Sequence, residues 1–141
     1  MKKILLTIAV SLLMMSCSAQ KHVATLPQKQ MTVRVTTYWK NGTGSDRWTR
    51  NGISCSGAPL INKTSAAVDP KLIPFGKRIE IPELKLNLVA VDTGSAVKKR
   101  TASLKNKRSE PVIDLFFEDK RDALNFCRRN KRNLVTDAFI Y

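Results

Sequence analysis

The sequence predicts a mainly β fold, a small six-stranded β-barrel with one α-helix in its C-terminal half. Three observations carry this expectation. The apolar segments beyond residue 31 are short, rich in β-branched residues, and mostly alternate with period two. Helical periodicity enters the domain only from about residue 118. Strands and helices do not alternate along the chain and no internal repeat is visible, which argues against a parallel α/β sheet. The 141 residues allow one compact domain and exclude a large multidomain enzyme.

The elements follow in order. Residues 1–16 read as an export signal, with Lys2 and Lys3 ahead of the apolar run Ile4 to Met15. That run is shorter than the roughly 20 residues a transmembrane helix needs. Residues 17–30 are largely polar, contain Pro27 and suit a flexible tether, so the domain is expected over 31–141. Thr32 to Lys40 alternates as a strand. Asn41 to Pro59, with four glycines, reads as a long loop. Further strands are expected at Ser65 to Val68, Lys77 to Ile81, Leu86 to Val91, Pro111 to Phe117 and Asn133 to Tyr141. The helix starts at Glu118 or Asp119, ends near Asn130 and shares Ala123, Leu124 and Cys127 on one face.

The candidate chemistry rests on carboxylates. His22 is the only histidine and lies in the tether, which excludes a Ser-His-Asp triad, a Cys-His pair and a multi-histidine metal centre in the folded part. Asp69, Asp92 and Asp114 stand inside or at the ends of apolar segments. Asp69 before Pro70 and Asp92 before Thr93-Gly94 are also natural turn caps. Asp114 differs, because alternation sets it beside Val112 and Phe116 while Ile113, Leu115 and Phe117 take the other face. A carboxyl desolvated in this way has a raised pKa and suits a general acid, unless an arginine such as Arg121 pairs with it. No cofactor and no required metal is expected. Cys55 and Cys127 form an even pair in an oxidising compartment, either bridged as a disulfide or left as two thiols.

The ordered motifs Ala67-Val68-Asp69-Pro70, Ile73-Pro74-Phe75-Gly76, Ile79-Glu80-Ile81-Pro82, Val91-Asp92-Thr93-Gly94-Ser95-Ala96-Val97-Lys98 and Ile113-Asp114-Leu115-Phe116-Phe117 resemble the three-aspartate (3D) domain of bacterial cell-wall proteins. The resemblance implies a double-psi β-barrel like the catalytic domain of membrane-bound lytic transglycosylase A and the stationary-phase survival muralytic proteins. It implies cleavage of the MurNAc-GlcNAc β-1,4 bond of peptidoglycan, with Asp114 as the single acid/base and Asp92 and Asp69 as supporting carboxylates. Thr93, Gly94 and Lys98 fall where the family's cleft lies, and Tyr38, Trp39 and Trp48 are candidates to stack on sugars. Met14-Met15-Ser16-Cys17 resembles a bacterial lipoprotein cleavage site, which implies lipidation at Cys17 and a membrane anchor on the exported chain, most simply in the outer membrane facing the periplasm. Plain cleavage after Ala19 is the alternative.

The chain departs from the family pattern in having Ser95 where a second glycine is common and a long basic connection from Lys98 to Pro111. With 25 Lys+Arg against 11 Asp+Glu, the formal net charge is +14. For an exported chain this favours lipid head groups and peptidoglycan stem carboxylates as partners, and nucleic acid is not expected. The second functional reading is a non-catalytic barrel that binds glycan strands, similar to rare-lipoprotein-A-like or expansin-like modules. The Asp92-Thr93-Gly94 turn also resembles an aspartic protease, but no glycine follows Gly94 to build the later segment that such a site requires.

Overall fold

The computed structural model describes residues 26–132 and 134–141. The expected leader, Cys17 and most of the tether lie outside the described residues. Six strands close into a barrel in the order β1-β5-β2-β4-β3-β6. They are β1 Lys29–Trp39, β2 Ser65–Ala67, β3 Arg78–Ile81, β4 Leu86–Asp92, β5 Val112–Phe117 and β6 Val135–Ile140. The β1/β5 and β2/β4 pairs are parallel and the other four antiparallel. This is the mainly β, six-stranded architecture that the sequence predicts, and it agrees with a small double-psi barrel. Closure leaves no open sheet edge.

Alternation decides which side chains fill the barrel. Val33 and Val35 of β1, Ile79 and Ile81 of β3, Leu88 and Ala90 of β4, and Ile113, Leu115 and Phe117 of β5 form one buried cluster. Complete burial of each large member contributes roughly 1.5–3 kcal/mol. Every strand of the closed barrel contributes to this core. β1 begins two residues before Met31, because Lys29 and Gln30 already pair with Ile140 and Phe139 of β6.

The connections hold more helix than the sequence suggests. Within the loop 41–59 lies α1 (Arg47–Arg50), whose N-cap Asp46 accepts the Thr49 N–H at 2.8 Å. The basic connection folds as α2 (Ser95–Lys98) and α3 (Thr101–Lys105). Both are too short to persist alone and are held by packing: Val97 joins Ala67 and Val112 in a second buried cluster, with Ala102 against it. The main helix α4 (Lys120–Arg129) starts at the N-cap Asp119 and ends at Asn130, as its acidic start and basic end predict. Its inward face is Ala123, Phe126 and Cys127. Leu124 is 43% exposed, so its expected place on that face is corrected: one residue on from Ala123, it is turned by about 100° out of the stripe.

Candidate active site

Strand register builds the site on the outer face of the sheet. Thr36 of β1 pairs with Asp114 of β5, Asp114 with Ala67 of β2, and Ala67 with Asp92 of β4. These four residues form one row across four strands. The last pairing depends on an irregularity: Ala66 faces Ala90 but Ala67 faces Asp92, so the register skips Val91. A regular ladder would set Val91 in the row; the bulge sets the carboxylate there instead. Ala67 stands between the two acids with only a methyl group, which leaves open space above the row.

That space is a cleft of about 390 Å³ with Asp92, Asp114, Tyr38 and Ala67 in its floor, residues 42–46 along one wall and Ser95 to Val97 of α2 along the other. The loop wall is tightly closed. A Cβ on Gly42 would come within 3.1 Å of the Trp39 ring, and Ser45 Oγ donates to the Trp39 carbonyl at 2.9 Å.

The two carboxyls have different environments. Asp92 is buried and both its oxygens are taken, Oδ2 by the Tyr38 hydroxyl at 2.8 Å and Oδ1 by the Cys55 N–H at 2.9 Å. Asp114 accepts one hydrogen bond on Oδ1 from Thr36 Oγ1 at 2.8 Å. No buried side-chain nitrogen or oxygen among the described residues lacks a partner, so Asp114 Oδ2, which takes no bond from the protein, is not sealed off, and Asp114 lines the cleft. No arginine or lysine pairs with Asp114 among the described residues, so the Arg121 ion pair does not form. Burial pushes the Asp114 carboxyl up to about 6, opposed by the Thr36 bond and reinforced by the charge of Asp92. Burial first, and then Asp92, also raises Tyr38 far above the ordinary phenol range, so it remains a donor. At the third acid of the cleft, Asp46, the Thr49 N–H lowers the pKa, as a helix cap does.

The structure thus brings Asp114, Asp92, Tyr38, Thr93 and Gly94 to one cleft and leaves three expected residues outside it. Asp69 does not join the other two aspartates. It follows β2, and its Oδ1 accepts the Lys71 N–H at 3.0 Å while its carbonyl accepts Leu72 and Ile73. It is a turn cap. Lys98 is exposed at the end of α2 and is not among the residues that line the cleft. Trp48 is 59% exposed and lines no part of the cleft, whereas Trp39 does. Thr93 closes the turn after β4 by donating to the Val68 carbonyl at 2.7 Å, and Gly94 caps α2.

Of the two alternatives for Cys55 and Cys127, the structure has two free thiols. Cys127 Sγ lies 3.3 Å from Thr37 Oγ1, whereas Cys55 sits beside Asp92, the partner of Tyr38. Thr37 and Tyr38 are successive residues of one strand and point to opposite faces. The sheet therefore separates the two sulfurs.

Sequence reading did not identify Thr36 or the Cys55 N–H as partners of the acids. Thr36 lay in plain alternation with Tyr38; the Cys55 contact had no signal. Among the described residues, no three acidic, cysteine or histidine side chains assemble as a metal-ligand set.

No family model matches the chain. It is similar to the putative cell wall shaping protein YabE of Bacillus subtilis (strain 168), at 35% identity over 95 residues, covering 67% of this chain and 20% of that protein. It is also similar to the cell wall-binding protein YocH of the same organism, at 36% identity over 98 residues, covering 70% of this chain and 29% of that protein. The chain therefore spans less than a third of the length of either relative. Among solved structures it resembles the lytic transglycosylase LtgG of Burkholderia pseudomallei, with 22% identity, a TM-score of 0.37, and coverage of 62% of this chain and 25% of that one.

Proposed function

We propose that this protein acts on the bacterial cell wall by cleaving the MurNAc-GlcNAc β-1,4 bond of peptidoglycan, with Asp114 as its general acid and base. The observation that carries this reading is the contrast between the carboxyls: Asp92 is saturated, whereas Asp114 is desolvated, raised to about 6 and lines the cleft with one oxygen that takes no bond from the protein. Near neutral pH such a group populates both protonation states, as one residue serving first as acid and then as base requires.

In the first half of the reaction the Asp114 proton passes to the glycosidic oxygen as the bond to C1 breaks. In the second half the MurNAc C6 hydroxyl oxygen bonds to C1 and its proton passes to the Asp114 carboxylate. The product is a 1,6-anhydro sugar, and Asp114 ends protonated, ready for another cycle. Because the nucleophile belongs to the substrate, proximity replaces the second carboxylate that ordinary glycosidases use. Asp92 and Tyr38 act as positioning residues that fix the floor. Export, lipidation at Cys17 and a tether ending at the barrel belong to the same proposal, since they bring the cleft to the wall. The two relatives named for the cell wall support this setting.

A second reading, binding of glycan strands without cleavage, is favoured by the relative named as cell wall-binding. Incubation of purified peptidoglycan with residues 26–141, followed by mass spectrometry of the soluble fraction, separates the possibilities. Anhydro-muropeptides are the expected product. Reducing-end products would assign hydrolysis instead, and sedimentation with the wall without any release would assign the binding module.

A further inference from the structure

Charge is segregated around the cleft. Asp46, Asp92 and Asp114 line it and no lysine or arginine does. The α2 wall then runs directly into cations: Lys98, Lys99, Lys105 and Lys107 are all exposed, and none of their ammonium groups bonds to or pairs with a described residue. The one acid of this segment, Glu110, is already engaged by Arg34 at 2.9 Å and by Arg108 at 2.8 Å. The segment is a fixed feature rather than a loose loop. Val97 and Ala102 pack on the outer face of the barrel, and the completely buried Ser103 accepts from Arg34 Nε at 3.3 Å.

An acidic cleft whose α2 wall leads along the chain into a basic rim segment fits a polymer that is uncharged where it enters the cleft and anionic beside it. We infer that the strand recognised here carries free carboxylates on the substituents next to the scissile bond, and that Lys98, Lys99, Lys105 and Lys107 hold them. The inference rests on the cleavage reading and narrows its substrate to carboxylate-bearing, rather than bare or amidated, glycan. Point-charge ammonium groups on flexible stems suit substituents that differ in position along a strand.

The test compares native peptidoglycan with the same material after its carboxylates are converted to amides, using residues 26–141. Two variants of equal charge change are needed: a rim variant with these four lysines changed to Gln, and a control with Arg128, Arg129, Lys131 and Arg132, at the end of α4, changed to Gln. The inference expects native material to be cleaved at a kcat/KM about tenfold above amidated material, the rim variant to lose that preference through KM, and the control to keep it. Equal cleavage of both materials, or equal loss in both variants, overturns it. If nothing is cleaved but the rim variant alone loses sedimentation with native material, the cleavage reading fails and carboxylate recognition by the rim stands. Absence of both effects overturns both.

Discussion

The Tyr38 hydroxyl donates to Asp92 Oδ2 across 2.8 Å, although the two residues belong to strands that are not neighbours. β1 and β4 are separated by β5 and β2 in the barrel order. Three strand spacings amount to roughly 14 Å between backbones. The phenol spans much of this distance over the outer face of the sheet, its ring edge-on to Phe116 at 5.3 Å. The small side chain of Ala67 leaves the route open. This hydrogen bond ties the two ends of the cleft floor together and holds a buried carboxylate in place.

Tyr38→Phe keeps the ring contact with Phe116 and removes the donor. A buried acceptor losing one of its two partners costs about 1–3 kcal/mol, so the variant is expected to unfold at correspondingly lower denaturant concentration. Stability equal to wild type in urea titration would show that the hydroxyl contributes nothing to the floor.

Thr36→Val removes the hydrogen bond that lowers the pKa of Asp114. Without it the carboxyl rises further above 6, and the alkaline limb of cleavage moves to higher pH. Thr36→Ser, which keeps the hydroxyl, is expected to leave the limb in place. The pH profile of product release by the three proteins decides this, and a limb moving to lower pH in the valine variant would contradict the arrangement.

Asp114 also leaves a mark on stability. Its pKa in the folded chain is raised from 3.8 to about 6, so the folded state binds the proton more tightly than the unfolded one. Stability from this group is full below about pH 4 and is lost as pH rises through 6, a change of about 3 kcal/mol. Burial of Ile113, Leu115 and Phe117 on the same strand offsets it. Asp114→Asn, which carries no charge, is therefore expected to be more stable than wild type above pH 6 and to lose that advantage near pH 4. Denaturant unfolding of both proteins across this range measures the difference, and a gap independent of pH would contradict the burial of the charge.

The sequence made the strands, their faces and the special environment of Asp114 legible because each depends on local alternation. The start and end of α4 were legible for the same reason, as acidic and basic residues mark its ends. What it did not disclose depends on contacts distant along the chain. The bulge opposite Ala67 turns Asp92 onto the outer face, and nothing in Val89-Ala90-Val91-Asp92 marks where pairing skips. Asp69 and Asp92 precede turns in similar ways, yet only the second is carried into the row by a neighbouring strand. Cys55 and Cys127 were an even pair by count, but which side of β1 each approaches is a property of the closed barrel. The α2–α3 packing, set by Val97 and Ala102, was hidden by the lysines around it.

With the sheet between Cys55 and Cys127, residues 26–141 are expected to unfold at the same temperature with and without reductant. Two thiols per chain should react with an alkylating reagent after denaturation without prior reduction. A reductant-dependent fall in Tm, together with fewer than two reactive thiols, would show that a bridge forms.

The most direct test of the role given to Asp114 is the rate at which wild-type and Asp114→Asn proteins release soluble muropeptides from purified peptidoglycan at pH 6. The asparagine retains shape and an acceptor for Thr36 but has no proton to transfer. A general acid/base contributes about 100- to 10,000-fold, so release should fall by that factor while sedimentation with the wall is unchanged. Release by the variant at the wild-type rate would contradict the assignment of Asp114, and no release by either protein would leave the cleft as a binding site only.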